Sequence, residues 1–124
     1  MTRVLVADDD ADIRDLVQFK LTQSGFDVAA VGDGQTALEA VLADPPDLLV
    51  LDLMMPRLTG IEVCQALRSD DRTATVPVIM LTAKAQEADV TRGFGVGADD
   101  YVIKPFSPRE LLTRVQAVLA RTQR

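Results

Sequence analysis

The sequence predicts a doubly wound α/β domain, in which helices cover both faces of a five-stranded parallel sheet. Five short apolar runs indicate the strands, at residues 4–7, 28–31, 48–51, 78–81 and 101–103. Each run is continuous rather than alternating, which is typical of strands that are buried on both faces. The segments between the runs carry apolar residues at helical spacing. Strands that alternate with helices in this way form parallel sheets with right-handed crossovers.

The helices are predicted from their apolar faces and from the residues that precede them. The clearest faces consist of Ile13, Leu16, Val17 and Leu21, then Ala37, Leu38, Val41 and Leu42, then Leu111, Leu112, Val115, Val118 and Leu119. Asp10 and Asp33 are candidate N-caps, and the segments TGIE (59–62) and SPRE (107–110) have the capping-box pattern. A fourth helix within residues 86–95 has few apolar anchors and lies close to three glycines, so it is predicted to be marginally stable.

Length and composition favour one domain and exclude several classes of protein. The chain has 124 residues, of which 48% are hydrophobic, so we expect a single domain over residues 1–124. The net charge of -6 disfavours nucleic acid or an anionic membrane as the main partner. Cys64 is the single cysteine, and no segment resembles a signal peptide or a membrane helix, so a cytoplasmic location is expected. Without histidine, Ser-His and Cys-His catalysis is excluded and any metal must be held by oxygen.

Polar side chains follow four of the five predicted strands. Asp8 and Asp9 follow the first strand, Asp52 the third, Thr82 the fourth, and Lys104 the fifth. In open α/β sheets, binding sites form beyond the carboxyl ends of the strands. If these four strands are neighbours, three carboxylates, a hydroxyl and an ammonium group therefore meet in one crevice.

This set of side chains is suited to phosphoryl transfer. Clustered carboxylates require a counter-ion, and Mg²⁺ binds oxygen ligands and bridges them to phosphoryl groups. Lys104 adds a second positive charge for a phosphate, and Thr82 a neutral hydrogen-bond donor. A carboxylate can act as the nucleophile. Asp52 is the best candidate because it stands alone at the end of the central strand, whereas the adjacent Asp8 and Asp9 are better placed to hold metal.

Four motifs resemble those of the receiver domain of bacterial two-component response regulators. They are VLVADDD (4–10), DLMMPRLTG (52–60), VPVIMLTA (76–83) and GADDYVIKPFSPREL (97–111). The resemblance covers essentially the whole chain, and four motifs in this order are far more specific than any one of them. It implies a flavodoxin-like fold with strand order 2-1-3-4-5.

The resemblance also implies a role for each site residue. Asp52 would be the phosphoacceptor, and Lys104 would pair with the phosphoryl group. Asp9 would bind Mg²⁺ directly, Asp8 would bind it through a water, and the backbone carbonyl of Met54 would complete the protein ligands. Thr82 would move toward the phosphoryl group, and Tyr101 would follow it inward. The bond between Lys104 and Pro105 would be cis.

The implied function is a phosphorylation-dependent signalling switch. The phosphoryl group would come from a histidine kinase or a histidine phosphotransfer protein, since the chain has no histidine of its own. The output face would consist of the fourth helix, the fifth strand and the fifth helix, and would contact a downstream effector protein or domain. The resemblance allows phosphorylation-dependent dimerisation through this face, but the family's dimer network is incomplete because Val90 and Gly95 depart from it, although Asp100 and Arg114 could still form a family-like ion pair across the face. Catalysis would be limited to self-phosphorylation and autodephosphorylation.

Four alternatives remain at this point. The chain is either a stand-alone receiver or the N-terminal part of a longer regulator with a DNA-binding or enzymatic domain. A receiver that binds partners without phosphorylation is a second alternative. A haloacid-dehalogenase-like phosphatase needs an acid two residues after the nucleophile, where this chain has Met54. An FMN carrier needs aromatic stacking, but only 4% of the residues are aromatic.

Overall fold

A computed structural model of the chain describes residues 1–83, 95 and 97–122. The strands are β1 (Arg3–Ala7), β2 (Asp27–Val31), β3 (Leu48–Asp52), β4 (Val78–Ala83) and β5 (Asp100–Lys104). The helices in the described part of the chain are α1 (Ala11–Gln23), α2 (Gly34–Ala43), α3 (Gly60–Arg68) and a C-terminal helix (Pro108–Thr122). The helix predicted within residues 86–95 lies outside the described residues, apart from Gly95.

The five strands form one parallel sheet in the order β2-β1-β3-β4-β5, which confirms the predicted order. Ala7 pairs with Leu51 across β1 and β3. Asp52 pairs with Leu81 across β3 and β4, and Ala83 with Lys104 across β4 and β5. The carboxyl ends of these four strands therefore lie side by side at one edge of the sheet.

The expectation that every strand is covered on both faces is correct for β3 and wrong for β2. All five residues of β3 are buried, because this strand is central and has helices on both sides. No residue of β2 is fully buried, and Asp27 and Ala29 are exposed. The physical reason is position: β2 is an edge strand with a single neighbour, so its apolar run is only half covered.

Two apolar clusters hold the layers together, one on each face of the sheet. Leu5, Leu49 and Leu51 belong to the cluster that includes the buried residues of α2 and α3. Val4, Val6 and Val50 belong to the opposite cluster, formed with α1 and the C-terminal helix. Successive strand residues point to opposite faces, so a continuous apolar run serves both cores. Cys64 is fully buried in the first cluster, and burial raises its pKa.

Each predicted helix start in the described chain has its hydrogen bond. The Asp10 carboxylate accepts from the backbone of Asp12 and Ile13, and Asp33 accepts from Thr36. Thr59 and Glu62 form a complete capping box, and the Ser107 hydroxyl accepts from the Glu110 backbone at 3.0 Å. Such caps contribute about 1 kcal/mol each. They also fix where four loops turn from the carboxyl edge of the sheet into the helices.

Gly34 lies where α2 begins, against the loop that joins β3 to α3. A methyl group at this position would overlap the carbonyl oxygen of Leu58 and would lie 2.7 Å from its carbonyl carbon. We expect Gly34→Ala to lower the free energy of unfolding by about 1–3 kcal/mol, because backbone atoms rather than a flexible side chain must move. Urea denaturation measures this change.

Gly95→Ala is the matched control, since no described atom lies within 4 Å of the added methyl group. We expect no loss of stability in this variant. Equal stability of wild-type protein and Gly34→Ala would show that Gly34 does not lie as close to the Leu58 backbone as described.

Candidate functional site

The residues that end β1, β3 and β5 form one polar cluster at the carboxyl edge of the sheet. Asp8, Asp9 and Asp52 each place a carboxylate oxygen within 4.8 Å of the others. The ammonium nitrogen of Lys104 lies 2.9 Å from Oδ2 of Asp8 and 3.4 Å from Oδ2 of Asp52. The structure thus brings together three acids and one cation that lie up to 96 positions apart in the chain.

The three acids differ in burial and in their hydrogen bonds. Asp8 is fully buried, and its Oδ1 accepts from the Asp10 backbone at 2.9 Å. Asp52 is 5% exposed, and its Oδ1 accepts from the Met54 backbone at 3.3 Å. Asp9 is exposed. Both oxygens of Asp8 are therefore engaged within the protein, whereas Asp9 faces the solvent side of the cluster.

Burial and charge raise the pKa of Asp52 to about 7. Removal from water is the largest cause, followed by repulsion from the Asp8 carboxylate, and the Lys104 ammonium opposes both effects. Burial alone would lower the pKa of Lys104, but the hydrogen bond to Asp8 and the charges of Asp52 and Asp8 raise it above its ordinary value. The cluster therefore carries more negative charge than its one ammonium group neutralises.

This donor set fits a hard divalent cation. Carboxylate oxygens are the ligands that Mg²⁺ prefers, and three converge here. Burial and then repulsion from the Asp8 carboxylate raise the pKa of Asp52, and the same two effects favour the binding of a cation.

Two further predicted residues lie buried in β4 and β5. Thr82 is 1% exposed in β4, and its hydroxyl donates to the Ala83 carbonyl at 3.3 Å. Tyr101 is 8% exposed and belongs to the apolar cluster of α2 and α3. The bond between Lys104 and Pro105 is cis, as the resemblance implies.

A comparison with family models gives one match: the response regulator receiver domain, over residues 4–116. The chain belongs to this family. The recognition made from four motifs is therefore confirmed, and so is its fold. The phosphatase and the FMN carrier are set aside, because their families are different.

Curated relatives of this receiver domain include DNA-binding regulators. The chain is 50% identical over 119 residues to the DNA-binding response regulator MtrA of Mycolicibacterium paratuberculosis, covering 96% of this chain and 52% of MtrA. It is 49% identical over 124 residues to the DNA-binding dual master transcriptional regulator RpaA of Synechocystis, covering all of this chain and 52% of RpaA. The chain thus spans about half the length of these relatives.

Two solved structures with the same fold are matched over almost their whole length. The Vibrio cholerae chemotaxis response regulator CheY4 is 34% identical, with a TM-score of 0.90 over 95% of this chain and 98% of that one. The receiver domain of the Francisella response regulator 1452 is 38% identical, with a TM-score of 0.89 over 98% of this chain and 99% of that one. The sheet order of this receiver domain is therefore that of the family.

Sequence reasoning missed one residue that contacts the site. Arg14 of α1 donates from Nη1 to the backbone carbonyl of Asp8 at 2.8 Å. The available signal was its spacing: Arg14 follows the N-cap Asp10 by four residues, so it lies one turn into α1 above the loop that carries the acidic pair.

None of the helices in the described part of this receiver domain combines the length and the apolar character that crossing a bilayer requires.

Proposed function

We propose that this receiver domain accepts a phosphoryl group on Asp52 from a phosphohistidine of a histidine kinase or a histidine phosphotransfer protein. The observation that carries the proposal is the buried Asp52 carboxylate between an ammonium group at 3.4 Å and two further acids. A buried nucleophile beside a fixed cation and a metal-binding set is the arrangement that phosphoryl transfer to a carboxylate needs.

In the reaction, one oxygen of Asp52 forms a bond to phosphorus while the bond from phosphorus to the donor's imidazole nitrogen breaks. The nucleophile must be ionised, and the pKa of about 7 leaves much of Asp52 protonated at neutral pH until a further cation is present. Lys104 neutralises negative charge on the phosphoryl oxygens, since its ammonium group lies between Asp8 and Asp52.

Asp8, Asp9 and Asp52 would hold Mg²⁺ together with the backbone carbonyl of Met54. When bound, Mg²⁺ offsets the negative charge on the phosphoryl oxygens during transfer. The contacts of the two neighbouring acids support different roles. Oδ1 of Asp8 accepts a hydrogen bond from Asp10 and its Oδ2 forms an ion pair with Lys104, whereas Asp9 is exposed, so Asp9 would bind the ion directly and Asp8 through a water.

Thr82 and Tyr101 are the proposed switch residues, and the output face includes β5 and the C-terminal helix. On this face Arg114 and Asp100 form an ion pair within the chain, at 3.3 Å. Val90 and the rest of the predicted fourth helix lie outside the described residues. Dimerisation through this face after phosphorylation therefore stays a prediction.

The output of the full-length protein is inferred from the relatives. MtrA and RpaA are DNA-binding regulators of about twice this length, so we infer that this domain controls a DNA-binding effector. The domain itself, with a net charge of -6, does not bind nucleic acid directly. Residues 1–124 form one receiver domain in the cytoplasm, and its catalysis is limited to self-phosphorylation and autodephosphorylation.

Acetyl phosphate tests this function without the cognate kinase. The purified domain is incubated with acetyl phosphate and either Mg²⁺ or a chelator, and its intact mass is measured. We expect the mass of one phosphoryl group to be added with Mg²⁺ and none to be added with the chelator. Absence of an adduct in both samples would overturn the proposal and favour a receiver that signals without phosphorylation.

A further inference from the structure

We propose that Arg14 is a positioning residue for the Mg²⁺ site, acting through the peptide bond between Asp8 and Asp9. This inference rests on the proposed function, since it concerns the same site. Arg14 is half-buried on α1, and its Nη1 donates to the Asp8 carbonyl at 2.8 Å. In the described part of the chain its guanidinium forms no ion pair with a carboxylate, so its role is to hold backbone rather than to neutralise an acid.

A hydrogen bond to the Asp8 carbonyl restricts the loop after β1, which carries Asp8 and Asp9. A peptide unit is planar, so fixing its oxygen fixes the plane and the direction in which the next residue leaves it. The next residue is Asp9, the exposed acid proposed to bind Mg²⁺ directly. Orientation of Asp9 therefore depends on the hydrogen bond from Arg14.

In the described structure, the other contacts of Asp8 involve its amide and its carboxylate rather than its carbonyl group. Its amide donates to the Val31 carbonyl at 3.2 Å, and its carboxylate oxygens bind the Asp10 amide and the Lys104 ammonium. These bonds fix the residue up to its α-carbon and its side chain. The carbonyl, which determines the path toward Asp9, is held by Arg14.

Gly32 provides the space that the guanidinium occupies. A methyl group at position 32 would lie 3.1 Å from Nη1 and 3.7 Å from Cζ of Arg14. The turn after β2 and the loop after β1 therefore meet around this one side chain. Gly32→Ala gives a second way to disturb it while retaining its charge.

The experiment is a Mg²⁺ titration of the domain, followed by the amide chemical shifts of the residues around the site. Arg14→Met keeps the aliphatic stem and removes the donor, and we expect the Mg²⁺ dissociation constant to rise about tenfold. The direction of the change in Mg²⁺ affinity distinguishes lost positioning from lost charge. Loss of a positive charge beside an acidic pocket would by itself strengthen cation binding. Weaker binding therefore reports lost positioning.

Arg72→Met is the matched control, because it removes the same charge from the loop before β4, at the opposite edge of the sheet. We expect its Mg²⁺ affinity to equal that of the wild-type protein. Gly32→Ala should weaken binding in the same direction by a smaller factor, and it decides the question if Arg14→Met does not fold. Thermal unfolding in chelator confirms that each variant is folded.

Unchanged or tighter Mg²⁺ binding in folded Arg14→Met would overturn this inference and leave the proposed function intact. Absence of Mg²⁺ binding by the wild-type protein would instead overturn the metal site itself. A second readout separates positioning from general damage: the Mg²⁺ concentration that gives half the maximal rate with acetyl phosphate should rise in Arg14→Met by the same factor as the dissociation constant, and should not change in Arg72→Met.

Discussion

Lys104→Met is expected to slow phosphorylation of Asp52 roughly 10²-fold at saturating Mg²⁺. The Lys104 ammonium is the positive charge nearest the proposed nucleophile in the described structure, at 3.4 Å from Oδ2 of Asp52. The Lys104 side chain is only 23% exposed. When the ammonium group is removed, water therefore compensates poorly for the lost positive charge. The rate at which the intact mass gains a phosphoryl group from acetyl phosphate measures the effect.

The same variant should also be less stable without metal at neutral pH, because Asp8 and Asp52 would then be buried acids with no cation between them. Lys20→Met, which removes an equal charge from the last turn of α1, is the matched control and should phosphorylate normally. A wild-type rate in Lys104→Met would exclude the proposed contact between this ammonium group and the phosphoryl group.

Asp52→Asn is expected to stabilise the metal-free domain at pH 8, by on the order of 2 kcal/mol once solvent screening is allowed for. The pKa of Asp52 is raised from 3.8 to about 7 in the folded protein. Between these values the folded state binds more protons than the unfolded state, so stability falls as pH rises through this window. Asparagine does not titrate and avoids this loss.

The stability difference should therefore shrink as pH falls toward 3.8, the ordinary pKa of this carboxyl group, and disappear well below it, where Asp52 is protonated in both states. Urea denaturation in chelator at several pH values measures it, and saturating Mg²⁺ should reduce the advantage of asparagine at pH 8. Asp15→Asn, an exposed substitution on α1, is the control and should show little pH-dependent difference. Equal stability of wild-type protein and Asp52→Asn at pH 8 would show that Asp52 is not under the charge repulsion described.

The sequence predicted the strands and most helix starts because those features are local. An apolar run of three or four residues indicates a buried strand, and Asp10, Asp33 and Thr59 indicate helix starts because their side chains can cap a helix. The convergence of Asp8, Asp52 and Lys104 was also predictable, because parallel strands end at the same edge of the sheet. The order that makes those strands neighbours came from the family resemblance.

Other features depend on tertiary contacts that a linear pattern does not contain. The exposure of β2 follows from its place at the edge, which its apolar run does not reveal. The pairing of Lys104 with Asp8 at 2.9 Å depends on side-chain reach across two strands. Arg57 has a φ of 74°, a left-handed conformation that glycine usually adopts, so its residue type gave no signal. Arg14 was missed because its partner is a backbone carbonyl rather than an acid.

The most direct test of the central claim locates the phosphoryl group. Wild-type protein, Asp52→Ala and the exposed control Asp71→Ala are each incubated with acetyl phosphate and Mg²⁺, and their intact masses are compared. We expect one phosphoryl adduct on wild-type protein and on Asp71→Ala, and none on Asp52→Ala. No adduct on the wild-type protein, or an undiminished adduct on Asp52→Ala, would contradict the assignment of Asp52 as the phosphoacceptor.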